Sequence, residues 1–168
     1  IRGKPIDDDR FIEKIKGRFD IEKKSSAVEL LNEMDQRRSS DTINIGVLTR
    51  VGNAYLLSYK GKKNWTSDLS TASRILDVNV LHQLILKPAC GIDTRDQNDL
   101  GYLGYIRGNE PALEMIKNVS DYDFVFFVNP PDLDQIFDVA ETGETMPQKS
   151  TYFYPKVYSG LVTAGIGD

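Results

Sequence analysis

The sequence contains one cysteine, one histidine and one tryptophan in 168 residues, and it has no long run of apolar residues. The single cysteine, Cys90, has no second thiol in the chain with which to form an internal disulfide. The apolar runs are too short for a signal peptide or a membrane span. These features favour a cytoplasmic protein with no membrane partner.

The sequence also lacks an excess of positive charge. It has 25 Asp and Glu against 21 Lys and Arg, which gives a formal net charge of -4. Nucleic-acid binding needs concentrated positive charge, whereas both signs are mixed along this chain. The short basic runs at 37–38 and 60–63 are typical of a solvated helix end and a loop. We therefore expect no nucleic-acid partner.

His82 and Cys90 are the residues from which a thiol nucleophile and its base could be built. Eight residues of helix would separate them by about 12 Å along the axis. We therefore interpret Cys90 as a small buried apolar residue and His82 as a structural residue.

No motif of known chemistry is present. The sequence has no P-loop, zinc-ligand set, H-E-x-x-H pair, EF-hand loop or nucleophile elbow, so it predicts no metal site and leaves any cofactor unknown. The stretch 101–108, GYLGYIRG, has three glycines but not the G-x-G-x-x-G spacing of a dinucleotide-binding turn.

Apolar periodicity and capping residues predict five helices. Acidic residues 7–9 precede apolar residues at helical spacing and begin a helix over 7–18. Ser26 and Glu29 have capping-box spacing and begin a helix over 26–38. Asp77 is the expected N-cap of a helix that Pro88 ends at residue 87. Two further helices are expected from Pro111 and over 132–139.

Five segments have strand character. Residues 43–47 and 54–59, with turn residues between them, predict a β-hairpin. Residues 101–106 predict a strand, 124–128 a buried central strand, and 151–157 a final strand. The order of elements predicts an α/β fold, in which helices cover a mixed β-sheet within one domain over 1–168. Residues 1–6 resemble an incoming linker, and we expect the chain to be the C-terminal part of a longer protein.

Residues 146–156 are chemically unusual. An amide, an ammonium group and two hydroxyls occur within four residues, and such a group can bind an anion. If 151–157 is extended, two tyrosines and a lysine share one face. The candidate ligand-binding residues are Gln148, Lys149, Ser150, Thr151, Tyr152, Tyr154 and Lys156. The alternative is a structural turn that leads into the final strand.

The same segment carries a family resemblance. Residues 146–156, MPQKSTYFYPK, with 159–162, SGLV, and the helical stretch 76–86, resemble the C-terminal half of the family catalogued as domain of unknown function 1015. Members of that family are longer bacterial and archaeal proteins, whose N-terminal half carries a Gly-His-His-Arg type motif similar to that of ParB-like and free-serine-kinase folds. The resemblance implies a supporting domain that contributes Gln148, Lys149 and Ser150 to a site shared with that half.

Two functions remain open at this point. In the first, the chain is half of an enzyme site that holds a phosphate- or carboxylate-bearing metabolite. In the second, it is a non-catalytic interaction or scaffold domain. Its aromatic residues 152–154 would then pack on the N-terminal domain of the same protein or on a second subunit of a homodimer.

Overall fold

The computed structural model describes residues 1–38, 42–61, 65, 68–106, 122–147 and 150–151. The fold is α/β, as predicted, with helices packed on a four-stranded sheet. In chain order the helices are α1 (Asp8–Ile15), α2 (Ala27–Gln36), α3 (Thr71–Arg74), α4 (Asp77–Val80), a π-helical segment (Leu81–Cys90), a 3₁₀ turn (Asp99–Tyr102) and α5 (Leu133–Glu141). The strands are β1 (Phe19–Lys24), β2 (Asn44–Thr49), β3 (Ala54–Tyr59) and β4 (Phe124–Phe127).

The strand order is β1-β3-β2-β4, and each pairing between these four strands is antiparallel. β2 and β3 form the predicted hairpin, with Leu48 opposite Ala54 next to the turn. Gly52 has a φ of 87° in that turn, a conformation that glycine adopts without a steric penalty.

The two faces of the sheet have separate cores. On one face, Ile45, Val47 and Leu57 pack with α1 and the π-helical segment. On the other face, Leu48 and Leu56 pack with α2. This division follows from the alternation of side chains along each strand.

Three of the predicted helices are confirmed with their capping residues. Asp7 accepts a hydrogen bond from the backbone N–H of Arg10 at the start of α1, over 2.8 Å. Ser26 caps α2. At the start of α5, the side chain of Asp132 and that of Gln135 form a reciprocal capping box.

The predicted helix over 7–18 is too long at its C-terminus, because α1 ends at Ile15 and Phe19 begins a strand that the sequence did not predict. Four of the six residues of β1 are charged, so its local pattern is weak. Pairing with β3 along the whole strand stabilises β1 instead, from Phe19 opposite Tyr59 to Lys24 opposite Ala54. Ion pairs join Glu22 to Lys24 within β1 and to Arg37 at the end of α2.

The helical run predicted over 77–87 includes Asp77, but Asp77 is its first helical residue rather than its N-cap, and the run ends later than expected. Leu76 is the N-cap, and the carboxylate of Asp77 accepts hydrogen bonds from Asn129 rather than from its own helix. Pro88 does not end the run, which continues in a wider π-helical form to Cys90. Gly91, at a φ of 65°, ends it.

In the described region one strand prediction was wrong, and a second strand was confirmed but not in its predicted central position. Residues 101–106 form no strand there: Asp99–Tyr102 is a 3₁₀ turn, and residues 103–106 pair with no described strand. The strand predicted as central, 124–128, is β4, which lies at one end of the described strand order beside β2. The helix expected from Pro111 and the final strand from residue 152 onward lie outside the described residues.

Residues 1–6 run beside β4. The N–H of Asp123 bonds to the carbonyl of Ile1 over 2.9 Å, and the N–H of Lys4 bonds to the Asp123 carboxylate over 2.8 Å. Ile1 and Ile6 pack against the core. Within the described ranges, no helix is both long and apolar enough to cross a membrane.

Candidate functional site

The candidate site is a cleft of about 350 Å³ on the side of the sheet that carries α1, and we call it the Arg18 cleft. The α1–β1 turn, the end of β3, Trp65 and the π-helical segment contribute to it. Its lining residues are Gly17, Arg18, Tyr59, Lys60, Gly61, Trp65 and Leu84. The volume is at the lower end of the range that is usual for small-molecule sites.

The β1–β3 pairing brings the two halves of the cleft together. The N–H of Lys60 donates to the carbonyl of Arg18 over 2.9 Å, directly beyond the last strand pair, Phe19 and Tyr59. The N–H of Arg18 donates to the carbonyl of Ile15, which fixes the turn that follows α1. The backbone at 18 and 60 is therefore held by regular hydrogen bonds.

Tyr59 is the best-positioned polar group in the cleft. Its ring packs on Phe19, with centroids 5.5 Å apart, and its phenol lies so close to Gly61 that a Cβ at that position would overlap it. Burial raises the pKa of Tyr59, and the nearby positive charge of Arg18 opposes that rise. The hydroxyl is therefore a neutral donor at physiological pH, and it has no hydrogen-bond partner among the described residues.

The positive groups of the cleft differ in their partners. The ammonium of Lys60 lies 3.1 Å from the Asp20 carboxylate. The guanidinium of Arg18 is exposed and has no ion-pair or hydrogen-bond partner within the described part of the chain.

The apolar lining of the cleft includes Trp65, whose indole N–H donates a hydrogen bond to the carbonyl of Arg74 over 3.3 Å. Leu84 adds a buried apolar surface.

A second cleft, of about 490 Å³, lies at the start of α1 and is mainly acidic. Three of its four carboxylates, those of Asp7, Asp8 and Asp123, have hydrogen-bond partners. Asp8 accepts from Thr49 over 3.0 Å and from Asn53 over 2.6 Å. Asp123 accepts from the N–H of Lys4 and pairs with Arg50. In the described ranges, no group of three His, Cys, Asp or Glu residues has the arrangement of a metal site.

Cys90 has the buried apolar environment that the sequence predicted, with 4% of its surface exposed. Burial raises the pKa of its thiol to about 12, so the thiolate that nucleophilic catalysis requires does not form at neutral pH. His82 is 8% exposed. Burial lowers the pKa of its imidazole to about 4.

Most of the ligand-binding residues predicted from the sequence lie outside the described residues, namely Gln148, Lys149, Tyr152, Tyr154 and Lys156. Ser150 and Thr151 are described. The N–H and hydroxyl of Ser150 both donate to the carbonyl of Pro147, over 3.2 and 2.6 Å, which forms a tight turn. A role of this segment in ligand binding stays a prediction.

No protein-family model, no curated protein and no solved structure matches the chain.

Sequence reasoning did not find the Arg18 cleft, because its residues lie about 40 positions apart and are joined by a strand pairing that the sequence did not predict. A signal was present, however. Tyr59 and Lys60 end the hairpin, and the apolar alternation of Phe19 and Ile21 is that of a third strand.

Proposed function

We propose that this domain binds a small metabolite with a phosphate or carboxylate group in the Arg18 cleft, as one half of an enzyme site. One observation carries the proposal. A guanidinium, Arg18, and a neutral hydroxyl, Tyr59, line the same cleft without a partner among the described residues. Donors of this kind bind anions through charge-assisted hydrogen bonds.

The remaining lining residues suggest the shape of the ligand. Lys60 adds a second positive charge beside the anionic group, although Asp20 shares it. Trp65 and Leu84 offer an aromatic and an aliphatic surface to the rest of the ligand. An acid with an apolar or aromatic body suits this arrangement better than a free inorganic anion does.

The cleft contributes binding rather than acid–base chemistry. Its described lining includes no carboxylate, thiol or imidazole that could act as a nucleophile or general base. A reaction at this ligand therefore requires groups from another part of a longer protein. This fits the half-site that the resemblance to the domain of unknown function 1015 family implies, and that relationship is itself part of the proposal.

Calorimetric titration with phosphate, pyrophosphate, nucleotides and phosphoserine tests the proposal. Arg18→Gln removes the guanidinium, and we expect it to weaken binding about tenfold or more, because a hydrogen bond to a charged group contributes about 1.5–3 kcal/mol. Tyr59→Phe removes only the hydroxyl and should weaken binding less. Arg10→Gln is the matched control, since it removes another exposed arginine, which lies on α1 outside the cleft.

The result for Lys149→Ala distinguishes this cleft from the segment predicted by sequence. Binding that depends on Lys149 but is unchanged in Arg18→Gln would place the anion site in residues 148–156 and refute the cleft. Equal losses in Arg18→Gln and Arg10→Gln would indicate only a general effect of net charge.

A further inference from the structure

The outer face of α5 exposes its largest apolar side chains. Leu133 and Phe137 are both 63% exposed, and they lie one turn apart on the same side of the helix. Val139 is the buried residue of α5, on the opposite side. This nine-residue helix therefore has a second apolar face, with a leucine and a phenylalanine that the described residues leave exposed.

This face has two parallel stripes. At 100° per residue, Ala140 lies beside Leu133 and Phe137 and extends the apolar stripe. Asp134, Asp138 and Glu141 form an acidic stripe directly next to it, and all three are exposed. We call the two stripes together the α5 face.

Among the described residues, the contacts that hold α5 in place lie outside this face. Its N-terminus has the capping box of Asp132 and Gln135. Beyond its C-terminus, the carboxylate of Glu144 accepts hydrogen bonds from the N–H and hydroxyl of Ser70, over 2.7 and 2.9 Å, and from the hydroxyl of Ser73. The α5 face is therefore presented on a fixed element, which lowers the entropic cost of docking.

The negative charge around the α5 face indicates the charge that a partner must carry. From Tyr122 to Pro147 the chain has six acidic residues and no lysine or arginine. A partner that covered Leu133 and Phe137 would place its flanking residues against the acidic stripe, where acidic side chains would be repelled and basic ones attracted. Helices that pair through an apolar seam use flanking charges in this way.

We infer that the α5 face docks an amphipathic helix of a partner protein, with apolar residues at i, i+3, i+4 spacing and lysine or arginine beside them. The inference is independent of the Arg18 cleft, with which the α5 face shares no residue. At nine residues α5 is about 13 Å long, so the contact belongs to the small, transient class of interfaces.

The probe is a synthetic helical peptide of about four turns with leucine at that spacing and lysine on both flanks. A matched peptide carries glutamate in place of lysine. We expect amide chemical-shift changes of the full chain to map to α5 for the lysine peptide, and no binding of the glutamate peptide. High salt should weaken the binding.

Phe137→Ser should weaken the lysine peptide about tenfold or more, since a buried aromatic anchor dominates small interfaces. Asp138→Asn should weaken it less and reduce its salt dependence. Val28→Ser is the matched control, because Val28 is an apolar residue on α2 that is 57% exposed. Equal binding of both peptides, or an unchanged affinity in Phe137→Ser, would overturn the inference.

Two further measurements test whether the α5 face is covered by a second copy of the chain or by the chain itself. Sedimentation of the chain alone should show no association that depends on Phe137, since such association would assign the face to a second copy. The melting temperature of Phe137→Ser should stay within about 2 °C of the wild type. A fall of the size expected for a core phenylalanine would mean that the chain itself covers the face, and this would also overturn the inference.

Discussion

Asp77 and His82 lie five residues apart in one continuous helical run, and burial moves their pKa values in opposite directions. Burial raises the pKa of Asp77 from 3.8 to about 6, although hydrogen bonds from Asn129 act against the rise. Burial lowers the pKa of His82 from 6.5 to about 4. Both shifts therefore fall in the range between pH 4 and 6.5.

The two shifts have opposite effects on stability. In this range the native Asp77 binds more protons than the unfolded chain does, so its contribution is present at low pH and is lost as the pH rises from 3.8 to 6. His82 binds fewer protons in the native state, so its contribution is present above pH 6.5 and is lost as the pH falls toward 4. Each shift corresponds to about 3 kcal/mol, and we expect the two to nearly cancel in the wild-type protein.

Asp77→Asn removes the pH-dependent contribution of Asp77 and leaves that of His82. It keeps the local contacts, because the asparagine oxygen can still accept both hydrogen bonds from Asn129. Urea unfolding between pH 4 and 7 should show little pH-dependent difference from the wild type at pH 4 and a relative gain that reaches about 3 kcal/mol above pH 6. The exposed Asp138→Asn on α5 is the control for the loss of one carboxylate. A difference between Asp77→Asn and the wild type that is constant across the range would refute the reasoning.

Substitutions of Gly46 and Gly61 give two further predictions, with Gly101 as the comparison for the first. In Gly46→Ala the new Cβ would lie 2.5 Å from the sulfur of Met34, so we expect urea unfolding to show a loss of about 1–3 kcal/mol. Gly101→Ala meets no atom within 4 Å and should change stability by less than about 0.5 kcal/mol; similar losses in both would contradict the packing argument. In Gly61→Ala the Cβ would displace the phenol of Tyr59, so nucleotide titration should show weaker binding while the unfolding free energy changes by less than about 1 kcal/mol. Unchanged affinity would show that the position of Tyr59 is not needed for binding.

The parts of the fold that were predictable from the sequence are those with local signals. Capping residues and apolar spacing predicted α1, α2 and α5, and the turn chemistry at Gly52 predicted the hairpin. The π-helical segment illustrates the limit of such rules. A proline normally ends an α-helix because it removes a hydrogen bond and clashes with the preceding turn, yet the wider helix here continues past Pro88.

The candidate site was less predictable than the fold because it depends on a long-range pairing. Arg18 and Tyr59 meet only when β1 pairs with β3, and nothing in the charged sequence of β1 specifies that partner. The 146–156 segment was conspicuous for the opposite reason, since its unusual chemistry is local in sequence. Composition therefore indicated that segment, whereas only the strand order revealed the cleft.

The strand order also has a consequence for how the chain folds. β2 and β3 are separated by four residues, while β4 must return to β2 from 74 residues further along the chain. The entropy of loop closure makes the longer return about 2–3 kcal/mol more costly than the shorter one. The hairpin can thus form early and β1 can add to its free side, whereas β4 arrives late and brings α5 with it. A slow step in refolding would then belong to the docking of β4, and until that step the β2 edge of the hairpin would be open to another chain.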